Sequence, residues 1–229
     1  MKKTIMLLAA LFCAAVCSAK TEIVSQSEIA CGDKKIVLGT DGVLSIANAA
    51  GEIANVSLQY VFKDSAGNTD WFTVTPKLCK IRRDGDKFVW ELWKQYKQTT
   101  WKVADQTLEL LPDGQLKLSA KVFNPEGGEL TPRTAFGSFF ILFPVAGNEG
   151  KKLIFNDEER TLSPDMKNIS AWRGKRFDFT IFPDNPAEKV AFKNLTGLTV
   201  TTLISFKKHR ITYTFQKDNT CSILIDLSK

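Results

Sequence analysis

Apolar and polar residues alternate one by one over several short stretches of this chain. In residues 115–123 every second position is apolar, and the apolar set is Leu116, Leu118, Ala120 and Val122. The same period of two recurs in residues 198–206 and 210–216. Because successive side chains of a strand point to opposite faces of a sheet, this alternation predicts half-buried antiparallel strands. Residues 137–145 are almost continuously apolar and predict a central strand that is covered on both faces.

Turn-forming residues separate these stretches at short intervals, and no stretch keeps helical spacing for long. The turn signals include Asp41-Gly42, Asp84-Gly85, Asp113-Gly114, residues 125–128 and residues 217–219. The number of strand-like segments is about 13, which is too many for one flat sheet. We therefore predict an all-β protein in which residues 20–229 form a single antiparallel β-sandwich domain.

The first residues have the pattern of a bacterial export signal. Lys2 and Lys3 precede an uncharged apolar run over residues 5–16, and small residues end at Ala19. This pattern predicts a signal peptide over residues 1–19 and a secreted or periplasmic protein. The run is shorter than the roughly 20 residues that a stable membrane-spanning helix needs. A buried first helix and a lipid-anchored form modified at Cys17 remain as alternatives.

The charge pattern speaks against nucleic acid as a partner. The formal net charge of the 229 residues is +6, and it falls to +4 without the two lysines of the predicted signal peptide. Acidic and basic residues alternate along the chain, whereas a nucleic-acid binder usually concentrates its basic residues in a stripe. No later segment is long and apolar enough to predict a membrane span.

Three cysteines follow the predicted signal peptide: Cys31, Cys79 and Cys221. In an oxidising compartment this odd number allows one disulfide and one free thiol. Their spacing matches no zinc motif, and His209 is the only histidine in the chain. Because phosphate-binding and dinucleotide-binding motifs are also missing from the sequence, we expect buried structural cysteines, no metal and no cofactor.

Residues 88–103 hold an unusual concentration of large aromatic residues with interleaved lysines. Phe88, Trp90 and Leu92 share one parity and are expected to point inward, whereas Trp93 and Tyr96 break that parity. Aromatic faces stack on sugar rings, and a sheet can present them as a platform. We therefore predict that Trp93, Tyr96 and Trp101 bind a polysaccharide or another glycan. The alternative is that these rings fill the core.

A second candidate is the sequence Trp172-Arg173-Gly174-Lys175-Arg176. It ends an irregular stretch over residues 156–175, which we expect to be a long surface loop. Arginine forks suit carboxylate or sulfate groups, so Trp172, Arg173 and Arg176 are predicted to bind an anionic ligand. The alternative is a solvated loop with a tucked Trp172.

Four segments, at residues 110–118, 122–125, 131–132 and 137–142, resemble the galactose-mutarotase-like, or β-supersandwich, family. That family shows a strand ending at an Asp-Gly turn, a partner strand closing on Asn, a proline, and a His-x-Tyr-Phe-x-Leu element. In this chain Gly137 stands in the place of that histidine. The family's epimerases use histidine and a carboxylate to move a proton, so the resemblance implies a relative without mutarotase catalysis. It leaves sugar binding, or an accessory role beside carbohydrate enzymes.

The sequence is compatible with three functions. The first is a secreted non-catalytic carbohydrate-binding or accessory protein. The second is a lyase or hydrolase that acts on a polysaccharide, for which a pair of carboxylates across a cleft would be needed. The candidate carboxylates cluster in sequence at Asp157, Glu158, Glu159, Asp165 and Asp178. The third is a structural or interaction protein of the bacterial envelope.

Overall fold

A computed structural model describes residues 20–63, 69–72, 74–96, 98–123, 135–163, 178–196, 200–205, 208–214 and 219–228. In these ranges the chain forms eighteen strands and one short 3-10 helix, Pro76–Leu78. The all-β prediction is confirmed. Among the same residues, no helix has the length and apolarity that crossing a membrane requires.

The eighteen strands follow one another in chain order. They are β1 (Thr21–Ile23), β2 (Glu28–Cys31), β3 (Lys34–Leu38), β4 (Leu44–Asn48), β5 (Gly51–Lys63), β6 (Thr69–Phe72), β7 (Lys80–Asp84), β8 (Lys87–Tyr96), β9 (Thr99–Leu110), β10 (Leu116–Val122), β11 (Ala135–Pro144), β12 (Lys152–Phe155), β13 (Glu158–Thr161), β14 (Asp178–Ile181), β15 (Val190–Asn194), β16 (Val200–Ser205), β17 (Lys208–Thr214) and β18 (Thr220–Asp226).

The strands form two antiparallel sheets of nine strands each, which pack face to face as a β-sandwich. Sheet A has the order β1-β2-β3-β4-β5-β11-β17-β16, and β6 pairs with the end of β5. Sheet B has the order β13-β12-β14-β15-β18-β10-β9-β8-β7. The strands outnumber the predicted set because edge strands such as β7 and β13 are almost wholly exposed. An edge strand without a buried face carries no apolar alternation in its sequence.

The core lies between the sheets and contains the residues that alternation assigns to it. Leu116, Leu118, Ala120 and Val122 of β10 are all buried. Phe88, Trp90 and Leu92 of β8 are also buried, as their shared parity predicts. Strand β11 lies between β5 and β17 in the middle of sheet A, which confirms the central strand predicted from its continuous apolar run.

The turn between β3 and β4 joins the two sheets at one end of the sandwich. Two buried side chains of sheet B donate hydrogen bonds to its backbone: Gln106 Nε2 to the carbonyl of Gly42 at 2.7 Å, and Trp90 Nε1 to the carbonyl of Gly39 at 2.8 Å. Gly42 has a positive φ of 80°, and a Cβ there would lie 3.2 Å from the Gln106 amide. The turn therefore needs glycine for its backbone conformation and for its close approach to sheet B.

A buried lysine links the sheets at a second place. Lys34 of β3 is only 5% exposed, and its Nζ donates to the carbonyls of Pro186 and Lys189, each at 2.9 Å. Both carbonyls belong to the connection between β14 and β15 in sheet B. Burial lowers the pKa of the Lys34 ammonium from its ordinary value.

Cys31, Cys79 and Cys221 are all buried free thiols. The disulfide that their odd number would have allowed is not formed, and the expectation of buried cysteines is confirmed. Burial raises the pKa of the Cys221 thiol to about 12 and also raises the pKa of the Cys79 thiol.

Replacing Gly42 with alanine should destabilise the protein more than the same change at Gly85. Both glycines have positive φ, but a Cβ at Gly85 would meet nothing within 4 Å. Gly85→Ala therefore tests backbone strain alone, at about 1–2 kcal/mol. Gly42→Ala adds overpacking against Gln106, for a further loss of about 1–3 kcal/mol. Denaturant titration measures both free energies of unfolding, and equal losses would contradict the close approach of the turn to Gln106.

Lys34 should make stability depend on pH in the alkaline range. Its folded-state pKa lies below the unfolded value of 10.5, so the unfolded chain binds more protons between those two pKa values. The free energy of unfolding of the wild type, relative to Lys34→Met, should therefore rise as pH rises through the lowered pKa toward 10.5. Denaturant titrations of both proteins between about pH 7 and 10 measure this difference. A constant or falling difference would contradict the assignment.

Candidate functional site

The β8–β9 hairpin carries the predicted aromatic residues, and a bulge divides it. The register shifts between Leu92 and Trp93, and Val103 of β9 is the extra residue. Beyond the bulge, Trp93 pairs with Lys102, and Lys94 pairs with Trp101. Directly paired residues of two antiparallel strands share a face of the sheet, whereas neighbours along a strand point to opposite faces.

The bulge places the predicted aromatic residues on different faces. Trp101 packs against the core. Val103, two residues further along β9, is buried as well. Trp93 shares its face with Lys102, so it lies on the outer face of sheet B and is half-buried. Tyr96 pairs with Thr99 in the register, but its side chain is outside the described part of the structure. The structure thus does not bring Trp93 and Trp101 together on one face.

The backbone around Trp93 is fixed by the segment before β7. The Thr75 N–H donates to the carbonyl of Trp93 at 2.8 Å, and the Trp93 N–H donates to Cys79 Sγ at 3.4 Å. Two residues further on, the Gln95 N–H donates to Thr75 Oγ1 at 3.0 Å. These bonds take the place of a neighbouring strand beyond the end of β7. Trp93 is therefore held on supported backbone rather than on a free hairpin tip.

A second aromatic residue lies beside the same face. The Lys102 ammonium lies 5.5 Å from the centre of the Phe123 ring and 2.7 Å from Asp105 Oδ1. The backbone of Phe123 is anchored on both sides: its N–H donates to the carbonyl of Val103 at 2.9 Å, and its carbonyl accepts the Tyr60 hydroxyl at 2.5 Å. We call Trp93, Lys102, Asp105 and Phe123 the aromatic row.

The aromatic row crosses three adjacent strands, with one ring at each end and the ion pair between them. Trp93 is on β8, Lys102 and Asp105 are on β9, and Phe123 directly follows β10. Neighbouring strands lie about 4.8 Å apart, so the backbones that carry the two rings are separated by roughly 10 Å. Each ring is half-buried, which leaves part of its surface in contact with solvent. Such a row offers apolar surfaces at its ends and hydrogen-bonding groups in its middle.

The outer face around the aromatic row is electrically balanced. Lys87 forms an ion pair with Glu109 at 3.1 Å, and the register places Lys121 opposite Asp105. At the edge of the sheet, Lys80 stands opposite Glu91. Glu91 also stands opposite Asp105 on β9, so carboxylates lie on both sides of this ion pair. The described lysines of this region therefore do not form the free cationic patch that an anionic glycan would require.

The predicted set around Trp172, Arg173 and Arg176 lies outside the described residues, and so does Asp165. Among the other candidate carboxylates, Glu158 pairs with Arg160 and Glu159 pairs with Lys152, both on exposed strand β13. Within the described ranges, no group of three or more His, Cys, Asp and Glu residues could hold a metal ion.

A cleft of about 560 Å³ lies at the opposite end of β8 and β9 from the aromatic row, and two carboxylates line it. These are Asp86 and Asp113, above an apolar wall that includes Leu110 and Leu111. Both aspartates are exposed, and Asp113 Oδ1 accepts the Gln115 N–H at 3.0 Å as part of a turn. A glycosidase's general acid needs a dry environment that raises its pKa, so exposed carboxylates do not favour hydrolysis here.

Phe123 and Asp105 are members of the aromatic row that were missing from the predicted site. The alternation in β10 could have indicated Phe123, because it continues the outward parity of Lys117, Ser119 and Lys121. Asp105 follows Lys102 by three residues on β9, across the bulge at Val103. That irregular spacing gives no sequence signal for the contact between their side chains.

Comparison of the chain with models of known protein families and with curated protein sequences finds no match.

Proposed function

We propose that this protein is an exported, non-catalytic carbohydrate-binding β-sandwich that holds a neutral glycan on the aromatic row. The observation that carries this proposal is the arrangement of Trp93, Lys102, Asp105 and Phe123 on one supported outer face. Export is supported by the signal-like residues 1–19, which end just before β1 begins at Thr21.

The chemistry of the aromatic row suits a sugar chain. The C–H surface of a pyranose ring packs on an aromatic face, and two rings carried on backbones roughly 10 Å apart can contact two sugar units of one chain. Between them, the Lys102 ammonium can donate to sugar hydroxyls and the Asp105 carboxylate can accept from them. Hydrogen bonds to charged groups are stronger than those between neutral groups, so this pair would fix the orientation of the ligand.

The charge balance favours a neutral glycan over a carboxylated or sulfated one. Asp105 lies 2.7 Å from the Lys102 ammonium and offsets its charge. An anionic sugar at this place would meet the Asp105 carboxylate as well as the lysine. The lysines interleaved among the aromatic residues therefore do not by themselves indicate an acidic ligand, because the sheet places carboxylates beside them.

The resemblance to the β-supersandwich family is compatible with this function. Two packed antiparallel sheets agree with the fold that the resemblance implies, and Gly137 lies on central strand β11 without an imidazole. The family relationship is part of the proposal.

A glycan-array screen of residues 20–229 is the direct test of carbohydrate binding. Failure to bind any neutral polysaccharide would refute the proposed function.

Removing either ring should weaken binding of a glycan found in that screen. Trp93→Ala and Phe123→Ala should each reduce affinity about tenfold, which corresponds to ~1.4 kcal/mol. Val37→Ala is the matched control, because Val37 is an exposed apolar residue of sheet A and is 41% accessible. Tryptophan fluorescence titration measures binding, and thermal melting verifies that each variant is folded. Unchanged affinity in both ring variants would rule out the aromatic row.

Binding should also be nearly independent of ionic strength. Because the ligand is neutral, raising the salt concentration screens no net attraction between the protein and the glycan. Titrations at low and high salt should give affinities within about twofold of each other. Lys102→Met should weaken binding at both salt concentrations by a similar factor, since it removes a hydrogen-bond donor. A steep loss of affinity with salt would indicate an anionic ligand instead.

A further inference from the structure

The Arg210 side chain of β17 has a buried nitrogen without a hydrogen-bond partner. This nitrogen is Nε, which finds no acceptor among the described residues. Burial lowers the pKa of its guanidinium from the usual value. Buried polar groups are nearly always hydrogen-bonded, so a desolvated guanidinium without an acceptor calls for an explanation.

The other described arginines differ from Arg210 in this respect. Arg82 pairs with Asp84, Arg160 pairs with Glu158, and Arg83 donates to the carbonyl of Gly85. All three are more exposed than Arg210 and could be hydrated by water alone. Arg210, the least exposed of these four arginines, is thus the one with a buried nitrogen that finds no acceptor among the described residues.

Phe140 fixes the position of the Arg210 guanidinium. The central carbon of the guanidinium lies 4.5 Å from the centre of the Phe140 ring, and Phe140 is only 8% exposed. Both residues lie on the outer face of sheet A, since Phe139, Ile141 and Ile211 of alternate parity fill the core. Stacking on an aromatic ring holds the plane of a guanidinium and leaves its edge available for a planar anion.

Hydroxyl groups flank this stack across the sheet. In the register, Ser57 of β5 and Thr212 of β17 stand on either side of Phe140, and both are half-buried. Strands β11 and β17 pair with neighbours on both edges here, so their backbone cannot accept an added peptide strand. The groups that a ligand would meet are a guanidinium fork and side-chain hydroxyls, which can bond to a ligand with its own hydroxyl groups.

We propose that Arg210, stacked on Phe140, binds the carboxylate of a uronic acid sugar on the outer face of sheet A. Because Nε is buried, the two terminal nitrogens form the bidentate contact with the carboxylate. Ser57 and Thr212 bond to the hydroxyls of the same sugar. This site is separate from the aromatic row, which lies on the outer face of sheet B, and it does not rest on the proposed neutral-glycan function.

Calorimetric titration of the full chain with trigalacturonate tests this site. Arg210→Lys keeps the positive charge but removes the planar fork, and it should reduce affinity at least tenfold. Arg82→Lys is the matched control, because Arg82 is an exposed arginine of sheet B, and it should leave affinity unchanged. Phe140→Leu keeps Arg210 but removes the stacking ring, and it should also weaken binding. Near-ultraviolet circular dichroism verifies that the variants are folded.

Several outcomes would overturn the proposal. One is the absence of trigalacturonate binding by the wild type, and another is equal affinity in Arg210→Lys. A third is equal binding of acetate, which would indicate a simple anion site, and a fourth is tighter binding of a peptide with a free carboxyl terminus. Neutral-glycan binding that is lost in Trp93→Ala concerns the aromatic row alone, so the two proposals can fail separately.

Discussion

The rest of this structure depends on two hydrogen bonds that cross the sandwich. Gln106 and Trp90 of sheet B donate them to the β3–β4 turn of sheet A. Face-to-face sheets are held mainly by non-directional apolar contact, which leaves their relative position adjustable. Directed bonds to buried carbonyls fix that position, because an unpaired carbonyl in the core is costly. Trp90 is on the same strand as Trp93, so these hydrogen bonds inside the sandwich also help to position the aromatic row outside it.

Alternation of apolar and polar residues was sufficient to predict the fold class. It placed β10, β17 and the first half of β8 with their inward faces correct, because each of these strands has one buried and one solvated face. The continuous apolar run of β11 likewise predicted a strand in the middle of a sheet. Edge strands could not be predicted in this way. Strand β13, for example, consists of four exposed residues and has no apolar face.

The candidate site was predictable only in part, because one bulge changes which side chains share a face. Strict alternation of residues cannot anticipate that Val103 is inserted opposite the bond between Leu92 and Trp93. Trp93 was correctly separated from the inward set, whereas Trp101 turned out to pack on the core. The stack of Arg210 on Phe140 could not be predicted either. It depends on the pairing register of β11 with β17, which lie far apart in the chain.

The three buried thiols make this protein a reporter of its own local motions. A thiol reacts as the thiolate, so a cysteine shielded from water and reagent reacts only when its surroundings open. Cys31 lies on β2, Cys79 lies beside Trp93, and Cys221 is in the middle of sheet B. The labelling rate at each position would therefore report how often three separate regions of the sandwich open. At Cys79 the rate would measure how rigidly the support beneath the aromatic row is held.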